Sequence, residues 1–149
     1  MALTDLLRWF PNLKNEYYNR TSDPTFNYNC FAWAAGISNA RWDPAPMFNC
    51  WWPPNLERKA TKKTIKKLYE LAGFNVCKNG DPEVGYEKIA IYFVGDKASH
   101  AARLLPDGYW TSKIGDADDI SHTLKGLEGT RYGEVRIYMH RAISTSPSS

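Results

Sequence analysis

The chain has 149 residues, 43% of them hydrophobic and 14% aromatic, which suits one globular domain with a sizeable core and excludes a disordered chain. Lys and Arg number 19 against 16 Asp and Glu, and the resulting net charge of +3 is too small to point to nucleic acid by itself. Three cysteines with no C-x-x-C spacing favour neither a disulfide framework nor a zinc site.

Residues 1–10 are predicted to form a short helix that stops at Pro11, followed by a polar, aromatic stretch with a turn at Ser22-Asp23-Pro24. Cys30 to Ala35 reads as a buried helix ended by Gly36. Residues 41–55 carry Trp42, Trp51 and Trp52 among Pro44, Pro46, Pro53 and Pro54, a composition that forbids long regular structure. Residues 57–72 form the clearest helix. Ile65, Leu68, Tyr69 and Ala72 share one side, while Lys59, Lys62, Lys63, Lys66 and Lys67 cover the other, read as a solvated face ahead of an acidic or nucleic-acid partner. Lys88–Val94 is apolar on both faces and predicts a central strand, with further strands at 99–105, 109–114 and 135–141. In the last of these, Val135, Ile137 and Met139 alternate with Arg136, Tyr138 and His140.

No basic start followed by an apolar run opens the chain, and no segment reaches the roughly 20 apolar residues of a membrane span. The expectation is a single domain over residues 1–143 with a disordered tail at 144–149. It would be cytoplasmic, with export lacking a classical signal left open, and would need no cofactor or metal and bind neither nucleic acid nor membrane.

The chemistry points to Cys30, at the turn into its helix, and His100, 70 residues downstream on a strand. A helix start favours thiolate, and a folded-in histidine can take its proton. Pro106-Asp107-Gly108 reads as a three-residue loop closed by a left-handed glycine, pairing Leu105 with Tyr109 and Leu104 with Trp110. His100 and Ser112 then share a face, and Ser112 is the favoured third catalytic residue. A two-residue loop would bring Thr111 and Lys113 there instead, so Lys113 stays as a substrate-facing cation. Asp116, Asp118 and Asp119 are weaker third residues, and equally resemble the acidic start of a short helix through Ile120, Leu124 and Leu127. His122 reads as a surface or packing residue, His140 as non-catalytic, and Cys50 and Cys77 as structural thiols, the latter beside the turn Lys78-Asn79-Gly80.

Tyr-Asn-Cys-Phe-Ala-Trp-Ala from Tyr28, the Trp-Trp-Pro segment, Gly85–Tyr92, His100-Ala101-Ala102-Arg103, Asp107–Gly115 and Gly126–Gly129 resemble a bacterial family of unknown function over roughly residues 9–141. More distantly, a helix Cys followed by a strand His is similar to the NlpC-like branch of papain-like cysteine peptidases and amidases. That resemblance implies an α+β fold with N-terminal helices and the Cys helix packed on a small antiparallel sheet bearing the His. It implies Cys30 as nucleophile, His100 as base and Ser112 as third member. The oxyanion would lie near the Cys30 amide, Asn29 or Tyr28, and Trp51, Trp52 and Trp110 would wall a cleft for a peptide or other amide-containing substrate. The chain departs from that branch at Asn29, where Asp is common. The reading is a cysteine hydrolase. Its rivals are an inactive domain of the same fold that holds a protein partner, and an acyltransferase or transglutaminase using the same pair.

Overall fold

The computed structural model describes residues 3–45, 50–114 and 117–143; the expected tail at 144–149, Pro46 and Asp116 lie outside the described residues. In chain order come α1 (Leu3–Trp9), a 3-10 turn (Pro11–Asn15), β1 (Tyr18–Arg20), α2 (Cys30–Ala34), β2 (Arg41–Trp42) and β3 (Cys50–Trp51). Then follow α3 (Lys62–Leu71), β4 (Asn75–Cys77), β5 (Tyr86–Val94), β6 (Lys97–Leu104), β7 (Trp110–Lys113), β8 (Asp119–His122), α4 (Leu124–Leu127) and β9 (Glu134–Ala142).

The fold is α+β, dominated by a seven-stranded antiparallel sheet in the order β1-β8-β7-β6-β5-β9-β4; β2 and β3 make a small parallel pair apart from it. The helices are few and short, and they cover both faces. On one face, Ile89, Ile91 and Phe93 of β5 and Ala98 and Ala101 of β6 pack against α2 and α3. On the other, Ala90, Tyr92, Ala102 and Trp110 pack against α1, the 3-10 turn and α4. Burial on both sides is why β5 reads as a continuous apolar run. Small residues meet small residues where α2 lies on β6: Ala32 and Ala101 have no exposed surface. That lets the helix approach the strand closely.

α3 starts at Thr61, whose side chain accepts the Thr64 N–H at 3.3 Å, and buries Ile65, Leu68 and Tyr69 as its periodicity requires. The β6–β7 hairpin has the three-residue loop its turn residues predict. Leu105 N–H donates to Tyr109 O at 2.7 Å, Leu104 pairs with Trp110, and Gly108 sits at φ +90°.

Two expectations need correction. Residues 119–122 are a strand, not the start of a helix, because both sides of β8 are buried and only Leu124–Leu127 is helical. The edge strands β1 and β4, the latter ending at Cys77, carry too little pattern to read from three residues each. The alternation of 135–141 is broken by a bulge. Ile91 pairs with Ile137 but Tyr92 with Val135, so Arg136 is the extra residue and Val135 joins the α1 face, away from Ile137 and Met139.

Gly133 closes the entry to β9 against the backbone. It has φ +74°, and a Cβ added there would lie 1.9 Å from the Phe93 carbonyl oxygen. Gly133→Ala therefore forces the β5–β9 junction apart. Urea unfolding should show a loss of about 2–4 kcal/mol; a loss below about 0.5 kcal/mol would mean the turn relaxes without cost.

Candidate functional site

Cys30 opens α2, and the residue before it fixes the turn. Asn29 Oδ1 accepts the N–H groups of Ala32 (3.2 Å) and Trp42 (2.9 Å), while its Nδ2 donates to Trp42 O at 2.8 Å. An aspartate could not make the last bond, so this position needs an amide. With its polar atoms so engaged, Asn29 acts as a cap and a strut for the 41–42 segment.

Cys30 is half-buried as a residue, but its thiol sits in the packed zone between α2 and β6. Burial pushes its pKa up to about 12; the amides of Ala101, Phe31 and Cys30 itself oppose this, and Asp43 adds to it. The thiol is neutral near pH 7.

His100 follows a different course. It is the cross-strand partner of Tyr92, and the two share the α1 face, whereas its neighbour Ala101 pairs with Ile91 on the α2 face. The His100 ring stacks on Tyr132 with centroids 4.1 Å apart and planes 6° from parallel. It has no exposed surface, and neither ring nitrogen has a hydrogen-bond partner among the described residues. Burial, with a smaller contribution from His122, holds its pKa well below the usual histidine value. Cys30 and His100 therefore meet the same stretch of β6 from opposite sides of the sheet, without a hydrogen bond between them.

Ser112 shares the His100 face as the hairpin register requires, but its partner is another histidine. Ser112 Oγ lies 2.7 Å from His122 Nε2, and His122 Nδ1 lies 2.7 Å from Thr123 O. A carbonyl only accepts, so Nδ1 carries the proton and the serine hydroxyl donates to Nε2. Ser112 and His122 have no exposed surface, and burial lowers the His122 pKa to about 4. His122 is thus an interior hydrogen-bonding residue. The alternation of Asp119-Ile120-Ser121-His122 as a strand was the signal that could have revealed it.

The α2 face holds the complementary set. Thr111 Oγ1 accepts from Trp33 Nε1 at 3.1 Å. The Lys113 ammonium is fully buried, donates to Ala117 O and lies 5.6 Å from the Tyr28 ring centre, so it faces the protein interior and not a substrate. The Tyr28 hydroxyl donates to Asp119 Oδ2 at 2.5 Å and is likewise engaged. Burial raises the pKa of Asp119, and burial together with that carboxylate raises Tyr28 to about 12. Asp118 is paired with Arg20 at 2.6 Å.

The tryptophans do not wall one cleft. Trp110 is core on the α1 face, Trp52 is buried with its Nε1 on Glu57 O at 3.0 Å, and of these three Trp51 alone is exposed, tilted against Trp42. Beside Cys30 there is a different hollow. Phe31 and Asp43 line an open cleft of about 780 Å³ with Pro44, Ala45, Val94 and Ala98. Among the described residues no group of three or more His, Cys, Asp or Glu is placed to hold a metal ion. No helix among them is long and apolar enough to cross a membrane.

The buried histidines carry a pH dependence. Both have pKa values below that of the unfolded chain, about 6.5. The unfolded state therefore binds more protons below pH 6.5, and stability is complete above that pH and falls as pH drops toward 4. The His122 shift alone corresponds to about 3 kcal/mol across this window. Urea midpoints should fall steeply from pH 7 to 4.5, and less steeply in His122→Gln. Equal slopes in the two proteins would show that His122 titrates alike folded and unfolded.

No curated protein matches the chain, and no solved structure matches it. The model of one family, described as Domain of unknown function (DUF7689), matches residues 19–140, and the chain belongs to that family.

Proposed function

We propose that this chain is a non-catalytic interaction domain that holds a protein partner. The observation that carries the reading is the division of the Cys–His pair by strand β6. A thiol nucleophile needs a base within hydrogen-bond reach and a route to thiolate. Cys30 has neither: its pKa is raised to about 12, and the nearby charge is the Asp43 carboxylate, which opposes ionisation. The imidazole of His100 is stacked and buried on the other face. The groups expected to hold an oxyanion, Asn29 and the Tyr28 hydroxyl, are committed to structural bonds.

A second reading is favoured by one specific observation. The backbone amides of Cys30, Phe31 and Ala101 converge on the sulfur, and Ala101 immediately follows His100 in the chain. Were the imidazole to reach the α2 side of β6, this would make a papain-like cysteine hydrolase. His100 would deprotonate Cys30, the thiolate would attack an amide carbonyl, and His100 would protonate the leaving amine before water cleaves the thioester. An amine acceptor in place of water would make it an acyltransferase.

Iodoacetamide alkylation followed against pH by mass spectrometry separates the two, with Cys50 as internal control and His100→Gln beside the natural chain. The interaction reading expects Cys30 to react more slowly than Cys50 through pH 9 and to be indifferent to His100→Gln. Alkylation of Cys30 that is complete below pH 7.5 and lost in His100→Gln would overturn it in favour of the hydrolase.

A further inference from the structure

We propose that the cleft beside Phe31 and the lysine face of α3 form one docking surface, and that its occupant is an acidic peptide segment carrying an apolar anchor. This rests on the interaction reading above and names its partner. The cleft has an apolar floor from Phe31, Pro44, Ala45 and Val94, the last of which is 48% exposed at the end of β5. Its rim carries Arg58, Lys59 and Lys97, all exposed, and it ends at Thr61, the cap of α3.

From there the helix continues the same charge. Lys62, Lys63, Lys66 and Lys67 border a shallow depression on its outer side, and none has an acidic partner among the described residues. With the rim, this surface holds seven bases. Its acids are Asp43, Glu57, Glu70 and Asp96, so it accounts for the whole net charge of +3 and the rest of the chain is balanced. A solvated helix face alone needs no adjoining apolar cleft, and a concentration of charge at one steers partners of opposite sign.

The acids also choose between polyanions. Asp43 and Asp96 lie in the cleft itself and would repel a continuous phosphate backbone. A peptide can seat an apolar side chain there and set its carboxylates on the lysines. α3 is 10 residues long, about 15 Å, so roughly five extended residues run its length.

The test is fluorescence polarisation with the full chain and a fluorescein-labelled peptide of Leu-Glu-Glu repeats, beside a labelled oligothymidine strand. Saturable peptide binding that weakens as salt rises is expected. The double variant Lys63→Glu/Lys67→Glu should weaken it on the order of tenfold or more, and Val94→Asp, which puts a charge in the anchor site, should weaken it separately. Absence of saturable binding, tighter binding of oligothymidine, or indifference to both variants would overturn the proposal. Its failure is distinct from failure of the interaction reading. Peptide binding lost with Cys30 inert removes only the acidic partner, whereas fast, His100-dependent alkylation removes the non-catalytic reading whatever the peptide does.

Discussion

The structure turns on the alternation of side chains along β6, a strand buried on both faces. Consecutive residues of a strand point to opposite sides, so His100 and Ala101 serve different layers although they share a peptide bond. Ala101 is the smooth floor on which α2 rests; His100 is a stacked aromatic under α1 and the 3-10 turn. A bulge at Ser99 fixes this phase, since Tyr92 pairs with His100 and Phe93 with Ala98. One residue more or less in that bulge would exchange the faces of the histidine and its neighbours.

From that division follow two separate polar interiors. The α1 side holds Ser112, His122 and His100, kept neutral by burial. The α2 side holds Tyr28, Asp119 and Lys113, in which a carboxylate, a phenol and an ammonium lie close together. The buried Lys113 ammonium donates to a backbone carbonyl, and Asp119 accepts from Tyr28. Buried polar groups of this kind are costly when partly satisfied and define one arrangement when satisfied. The His122 tautomer is fixed by a carbonyl on one side and a serine hydroxyl on the other. Such a network specifies the register of β7 and β8 more than it prepares a proton transfer.

Much of this was legible in the residues. Pro106-Asp107-Gly108 determined the loop length, and the loop length determined that His100 and Ser112 share a face, as they do. The period of Ile65, Leu68 and Tyr69 located α3, and the apolar run of β5 located the centre of the sheet. The rest was hidden for physical reasons. Asp118-Asp119 resembles a helix start because acidic residues favour helix N-termini, yet burial by β1 and β7 on either side makes 119–122 a strand. Whether α2 lies on the histidine face depends on which side of the sheet the chain crosses after β1, and periodicity within single elements does not encode that. Asn29 is the instructive residue. It looked like a departure from an aspartate, and its role emerges only with the Trp42 backbone that takes both its donor and its acceptor.

The close packing of α2 on β6 also decides what the cysteine can do. Small side chains at Ala32 and Ala101 bring the helix near enough for the Ala101 amide to face the sulfur, which favours thiolate. The same approach expels water from the thiol, which disfavours thiolate, and of these opposed effects desolvation is the larger. A nearby positive charge would reverse the balance. The cations of this face are committed elsewhere: Arg103 lies over the Trp33 ring at 4.8 Å, and Lys113 donates to the Ala117 carbonyl. What remains near the sulfur is Asp43, of the wrong sign. The lysines of α3, which have no acidic partner among the described residues, stand beyond the thiol, where they act on solvent and on whatever docks from it.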